Sequence, residues 1–121
     1  MVAAANLALR FILEICVLVA VVVAALTVLE GGWSVVVAVL APLALVTIWG
    51  VFNVPGDPSR SGNAPVPVPG VVRLGIEVLY FAGGVFAAYW ALSAAVAVAF
   101  AVAVVAHYLW AMSRVRWLLS Q

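Results

Sequence analysis

The sequence predicts an all-α fold, a polytopic membrane protein whose four transmembrane helices form a bundle of two repeated helical hairpins. Three observations predict it. Of 121 residues, 69% are hydrophobic and 7% are charged, against roughly 25% charged in a soluble domain. The apolar residues fall in continuous runs of the length, about 20 residues, that a helix needs to cross the hydrocarbon core. An Arg-x-x-x-Glu pattern opens both the first and the third run.

The first span is read from Leu7 to Leu29. Glu14 interrupts its apolar stretch and no Ala-x-Ala signal precedes Glu30, so it is expected to be retained rather than cleaved as a leader. Glu30-Gly31-Gly32 ends it, because two glycines and a charge favour a tight turn. The second span runs from Trp33 to Phe52 without a charge, and Pro42 at its middle removes a backbone donor and should bend it. Residues 53–70 form a linker holding Pro55, Pro58, Pro65, Pro67 and Pro69 together with Gly56, Gly62 and Gly70. Its Pro-Val-Pro-Val-Pro segment favours extended polyproline geometry and reads as a strap over one membrane face. The run from Val78 to Ser113, without a charge unless His107 carries one, is too long for one crossing and suits two. Placing the turn at Ala91-Leu92-Ser93, after the Tyr89-Trp90 pair, gives a third span at 71–90 and a fourth at 93–113. The five tryptophans, Trp33, Trp49, Trp90, Trp110 and Trp117, lie near span ends and read as interfacial anchors. Continuous apolarity, without period-two alternation, excludes a β-barrel.

Four spans put both termini and the 53–70 loop on one side. All five basic residues, Arg10, Arg60, Arg73, Arg114 and Arg116, lie there, whereas the opposite hairpins carry only Glu30. The positive-inside rule then sets a cell-membrane protein with cytoplasmic termini. A net charge of +1 gives no footprint for nucleic acid. The single Cys16 cannot form a framework of disulfides and reads as an inert packing residue.

Leu9-Arg10-Phe11-Ile12-Leu13-Glu14-Ile15 can be laid over Val72-Arg73-Leu74-Gly75-Ile76-Glu77-Val78, with an echo of Trp49-Gly50 in Trp110-Ala111. This is read as an internal duplication of one hairpin about an axis along the membrane normal. The same residues carry a resemblance. The first-span motif, Trp49-Gly50, the loop ending Val68-Pro69-Gly70-Val71-Val72-Arg73-Leu74-Gly75-Ile76-Glu77 and a lone His in the fourth span resemble the YrdB-like family of small bacterial and archaeal membrane proteins. The resemblance implies a four-helix membrane protein without an assigned activity. The Pro-Arg pair expected from it in the central loop stands here as Pro58-Ser59-Arg60.

Ionisable groups inside a span are costly and each is a site hypothesis. Arg10 and Glu14 share a helix face, as do Arg73 and Glu77, and each Glu lies about 6 Å deeper than its Arg. Symmetric packing would also bring Arg10 to Glu77 and Arg73 to Glu14, a neutral cluster of four. Ala91, Ala95, Ala99, Ala103, His107 and Ala111 form a row at four-residue spacing that should turn His107 toward protein. Tyr80, Tyr108 or a backbone carbonyl would then satisfy its ring. On the adjacent span, Glu77, Phe81, Gly84 and Ala88 form a comparable inward face. Three uses of Arg10, Glu14, Arg73, Glu77 and His107 compete: a structural lock between helices, a proton or small-solute path, and a metal or redox site. The arginines already neutralise the carboxylates, which argues against metal. Ser34, Ser93, Ser113 and Ser120 lack a base at nucleophile spacing. The expectation is therefore a non-enzymatic accessory or interaction subunit with a structural cluster, the alternative being a minimal transporter. No catalytic residue, cofactor or metal is assigned. The expected partners are the lipid bilayer and either further copies of the chain or a larger membrane complex.

The orientation has a direct test. A cysteine placed at Ser61 is expected to resist a membrane-impermeant thiol reagent in intact cells, and labelling from outside would reverse the assigned topology.

Overall fold

The computed structural model describes residues 3–60 and 62–121; Met1, Val2 and Ser61 lie outside the described residues. The chain is all-helical apart from one short strand pair. Helix α1 spans Ala4–Val28 and α2 spans Gly32–Val51. Strands β1 (Phe52–Asn53) and β2 (Val66–Pro67) pair in parallel, with Phe52 opposite Val66. Helix α3 spans Gly70–Ala91, α4 spans Ala94–Trp110 and α5 spans Met112–Leu119. By length and composition α1, α2 and α3 can each cross a membrane, and the bent pair α4 and α5 makes up to four.

The turns lie where the sequence puts them. Gly31 adopts φ 68° between α1 and α2, a left-handed conformation that favours glycine. Ser93 caps α4, its Oγ accepting from the Val96 amide at 3.1 Å, which satisfies one of the free N–H groups of the first turn. Helix α2 continues through Pro42.

The fourth span departs from expectation. It was read as running to Ser113, but α4 ends at Trp110 and α5 leaves it at 71° across Ala111. The cause lies in the composition. Helix α4 is apolar almost throughout, whereas α5 carries two arginines and buries only Arg114 and Leu118, four residues apart. The elbow turns that stripe back onto the start of α3 instead of extending it along the α4 axis.

Helices α1 and α3 form the most extensive contact, with α2 packed on α1 and α4 packed on α3. The central pair is close because small residues face it. A Cβ added at Gly84 would lie 2.6 Å from Val17 Cγ2, and Ala20, Ala88 and Ala97 meet in a small-residue contact among α1, α3 and α4. Such close approach lets dispersion replace the hydrophobic drive that lipid does not provide. The inward face of α3 is as expected, since Glu77, Phe81, Gly84 and Ala88 are all buried. The alanine row on α4 is not. His107 and Ala111 are buried, but Ala95 and Ala99 are exposed and the off-row Ala97 is buried. A strict four-residue step overshoots a 3.6-residue turn by about 40°, so the row winds off the protein-facing side.

The molecule is apolar outside and polar within. Large side chains such as Leu79, Phe86, Phe11 and Leu109 are exposed, while Asn6, Arg10, Asn53, Asp57, Arg73, Glu77, His107 and Arg114 are buried. That inversion suits lipid as the surrounding solvent. The buried polar groups collect at one end, where the Asn6 side chain donates to the His107 carbonyl at 3.2 Å and Gly70 lies against the Leu118 backbone. The first turns of α1, the start of α3, the 53–70 strap and α5 therefore share that end.

One tight glycine and one open glycine predict contrasting outcomes. A Cβ at Gly70 would overlap the Leu118 carbonyl, whereas one at Gly75 meets nothing within 4 Å. Gly70→Ala is expected to cost about 1–3 kcal/mol by forcing α3 and α5 apart, and Gly75→Ala to be neutral or to stabilise by up to about 1 kcal/mol through helix propensity. Thermal unfolding in detergent measures both.

Candidate functional site

Each Arg-x-x-x-Glu motif closes its own ion pair, as i,i+4 spacing on one helix face requires. Arg73 Nε lies 2.9 Å from Glu77 Oε2, and Arg10 Nε lies 3.2 Å from Glu14 Oε1. Beyond that the two copies part. Arg10 crosses from α1 and donates through Nη2 to Glu77 Oε2 at 3.0 Å and through Nη1 to Oε1 at 3.4 Å. From α5, Arg114 donates Nη1 to Oε1 at 2.9 Å and Nη2 to Oε2 at 2.7 Å. The Tyr108 hydroxyl donates to Oε1 at 2.7 Å. Glu77 thus accepts six hydrogen bonds, three on each oxygen, and is fully buried. A carboxylate has about four lone-pair sites, so its acceptor capacity is exhausted.

Glu14 has a different environment. Its side chain is 19% exposed and its single ion-pair partner among the described residues is Arg10. Arg73 does not reach Glu14, contrary to the symmetric expectation. Its Nη1 instead donates to the carbonyls of Trp49 at 2.7 Å and Phe52 at 2.8 Å. Those carbonyls close α2, where a cation satisfies acceptors left free by the helix end and meets the negative pole of its dipole.

The cluster is larger than the five residues read from sequence. Arg114 is shared between two carboxylates, because its Nε and Nη2 also grip Asp57 of the strap at 3.0 and 2.6 Å. Local turn chemistry prepares Asp57 for that role. Pro55 and Gly56, the latter at φ 78°, form a turn closed by the Asp57 amide on the Val54 carbonyl, the type II arrangement. Asp57 Oδ1 then accepts from both the amide and the hydroxyl of Ser59, each at 2.9 Å. Three arginines (Arg10, Arg73, Arg114) therefore face three carboxylates (Glu14, Asp57, Glu77), and the set is neutral. Asp57 is the sole aspartate, and the four-span reading of the sequence puts it on one side with five arginines. That charge imbalance is the sequence signal that could have pointed to it.

An aromatic layer adjoins the charges. The guanidinium carbons of Arg10 and Arg73 lie over the Trp49 ring, 4.9 and 4.5 Å from its centroid, within cation–π range. Trp49 packs on Tyr80 and Phe81, and Phe81 meets Tyr108 edge to face. Trp49 was read as an interfacial anchor, but it is buried. Its place between two arginines and the aromatic core outweighs the headgroup preference that holds Trp33, Trp90 and Trp110 exposed. His107 is inward as expected and stands edge-on to Tyr108 at 5.0 Å. Neither ring nitrogen has a hydrogen-bond partner among the described residues, so the expected bond to a tyrosine or carbonyl does not form. Tyr80 is directed to the Glu14 carbonyl at 3.1 Å and Tyr108 to Glu77. Among the described residues no three His, Cys, Asp or Glu side chains gather as metal ligands.

A family profile described as a protein of unknown function, DUF2568, matches residues 8–106. The chain belongs to the DUF2568 family. It is also 41% identical over 116 residues to the uncharacterized protein YrdB of Bacillus subtilis (strain 168), covering 96% of this chain and 94% of that protein. No solved structure matches it. The DUF2568 match includes Arg10, Glu14, Asp57, Arg73 and Glu77 and stops short of His107, Tyr108 and Arg114, so the α5 contribution to the cluster lies outside it.

The unequal surroundings of the two glutamates give opposite expectations for one substitution. Glu77→Gln strands buried guanidiniums and is expected to cost about 3–5 kcal/mol. Glu14→Gln, at a partly exposed single pair, should cost under about 1 kcal/mol. Asp57 adds a pH dependence. Burial pushes its pKa up, but the hydrogen bonds and charge of Arg114, with Ser59, outweigh this and hold it below the ordinary value of 3.8. A depressed folded pKa means that this stabilisation is full above about 3.8 and is lost as pH falls through the folded value. Asp57→Asn should therefore destabilise at neutral pH and flatten the acid limb of melting curves in detergent.

Proposed function

We propose that the chain is a small non-enzymatic membrane protein, an accessory or interaction subunit, in which the charge cluster is a structural lock rather than a conduction site. The observation that carries this reading is the saturation of Glu77. With six donors on two buried oxygens, it has no lone pair left for a transported proton or cation, and moving any donor breaks a contact between elements. In this reading α4 is the fourth crossing, since its 17 residues reach the lower limit for a span. The cluster end, with both termini and the strap, faces the cytoplasm. The neighbour order α2–α1–α3–α4 supports a duplicated hairpin, because a twofold axis between α1 and α3 would exchange the halves. A groove of about 440 Å³ between α3, α4 and α5 is lined by Val78, Val85, Val105 and Leu109 among others. It suits lipid or a neighbouring helix and provides no groups for a polar substrate. Four short helices also leave little room for a complete translocation path, which favours work in a homo-oligomer or a larger complex.

One observation favours the second reading, a minimal transporter. Glu14 lines an open groove with Arg10, Ser59 and Arg60, and Arg10 links it to Glu77. Two measurements separate the readings. Mass determination after gentle detergent extraction is expected to find a stable partner or self-association, and proteoliposomes carrying a pH indicator should show no proton flux above protein-free vesicles. A flux that Glu14→Gln abolishes while the protein stays folded would establish the transporter instead.

A further inference from the structure

The charge count leaves two cations over, the exposed Arg116 and the partly buried Arg60. Arg10, Arg73 and Arg114 are matched by Glu14, Glu77 and Asp57, but the Arg60 guanidinium has no ion pair or hydrogen bond among the described residues. It is nonetheless partly buried, and burial together with the nearby charge of Arg10 lowers its pKa from the ordinary arginine value. It remains charged, since arginine does not deprotonate in proteins. The structure therefore holds a partly desolvated positive charge without a partner.

Arg60 lines a groove of about 340 Å³ between α1 and the strap, with Leu7, Arg10, Phe11, Glu14 and Ser59. The ionic side chains of this groove sum to +1, from Arg10 and Arg60 against Glu14. Ser59 is committed to Asp57 through both its amide and its hydroxyl, and the Arg10 Nε–H is committed to Glu14. Arg10 also donates both Nη groups to Glu77, so Arg60 is the groove's guanidinium without a carboxylate partner among the described residues. The apolar walls matter equally, because Phe11 is 62% exposed and lies about two turns into α1. A ligand seated here would meet a cation beside the strap and an apolar surface along α1.

We propose that this groove binds the phosphodiester headgroup of an anionic phospholipid, with Arg60 on the phosphate oxygens and an acyl chain along Leu7 and Phe11. Guanidinium matches phosphate geometry through paired N–H donors, and basic pockets at the cytoplasmic ends of membrane helices suit anionic headgroups. The net +1 fits a monoanionic diester. A phosphate monoester or inorganic phosphate, closer to dianionic, would meet the Glu14 carboxylate, and a zwitterionic headgroup would bring its ammonium against Arg60. The proposal rests on the membrane reading given above, with the cluster end at an interface.

The experiment uses the full chain in detergent, with binding read by native mass spectrometry and by thermal shift. Short-chain phosphatidylglycerol is expected to be retained at one molecule per chain and to raise the melting temperature, whereas phosphatidylcholine of equal chain length and millimolar inorganic phosphate should do neither. Arg60→Gln should weaken phosphatidylglycerol binding roughly tenfold, the scale of one charge-assisted hydrogen bond, without lowering the melting temperature of the lipid-free protein, because no carboxylate loses a partner. Arg60→Lys should retain most of the binding, since it keeps the charge. Equal retention of phosphatidylcholine, or unchanged phosphatidylglycerol affinity in Arg60→Gln, would overturn the site. Equal protection by inorganic phosphate would overturn the lipid as its ligand. The phosphatidylglycerol and phosphatidylcholine comparison needs only the unsubstituted protein and decides the matter even where a variant fails to fold. Release of the chain from membranes by salt or alkali alone would instead sink the membrane reading, so the two failures are distinguishable.

Discussion

A carboxylate buried among apolar helices must be surrounded by donors, because no water reaches it to solvate it. Glu77 is that group, and most of the architecture at one end of the molecule can be derived from its requirements. Its donors come from α1, α3, α4 and α5, and one of those donors also holds the strap through Asp57. Four helices and a loop are thereby fixed relative to one another around a single pair of oxygens. The arrangement does not make the cluster a large net source of stability, since desolvating three arginines offsets much of the attraction. Its effect is to make alternative packings expensive. Any register shift of α1 or α5 leaves a buried guanidinium unpaired.

The arginines consequently have two physical roles. In the four-span reading their concentration on one side is the signature that would orient the chain in a membrane. Yet Arg10, Arg73 and Arg114 are buried and paired in the folded protein, so they are not loop charges bathing in cytoplasm. Their stems cross the boundary between the apolar bundle and the strap, and Trp49 receives two of the guanidiniums on its ring face. The aromatic contacts among Trp49, Tyr80, Phe81 and Tyr108 continue that boundary into the apolar core. Aromatic rings suit this position because they offer a negative face to cations and an apolar edge to the helices beyond.

The Arg-x-x-x-Glu spacing occurs twice, in different surroundings. Arg10-x-x-x-Glu14 and Arg73-x-x-x-Glu77 are alike in spacing and both close their local pairs. Glu77 is at the convergence of the helices, while Glu14 lies at the margin of an open groove. The difference arises because the second hairpin has an appendage that the first lacks. Helix α5 folds back at Ala111 and delivers Arg114 to Glu77, whereas the corresponding end of α2 runs into β1 and the strap and presents carbonyls to Arg73. Helix α2 thus ends against a cation, and α4 ends by turning into a cation-bearing helix.

Helix order and both tight turns are legible in the sequence, and so are the two local ion pairs. All follow from short-range rules: runs of apolar residues, glycine at a positive φ, serine before a helix, and charges four apart on one face. The inward face of Glu77, Phe81, Gly84 and Ala88 is legible for the same reason. Asp57 and Arg114 are invisible by such rules, since a loop carboxylate and a charge near the C-terminus each look like solvated surface until the strap and α5 are folded onto the bundle. The wound-off alanine row, the burial of Trp49 and the inequality of Glu14 and Glu77 belong to the same category. Local chemistry fixed which groups were available for pairing. Only tertiary packing, by bringing α1, α4, α5 and the strap to one point on α3, decided which carboxylate became the centre and which arginines pair with it.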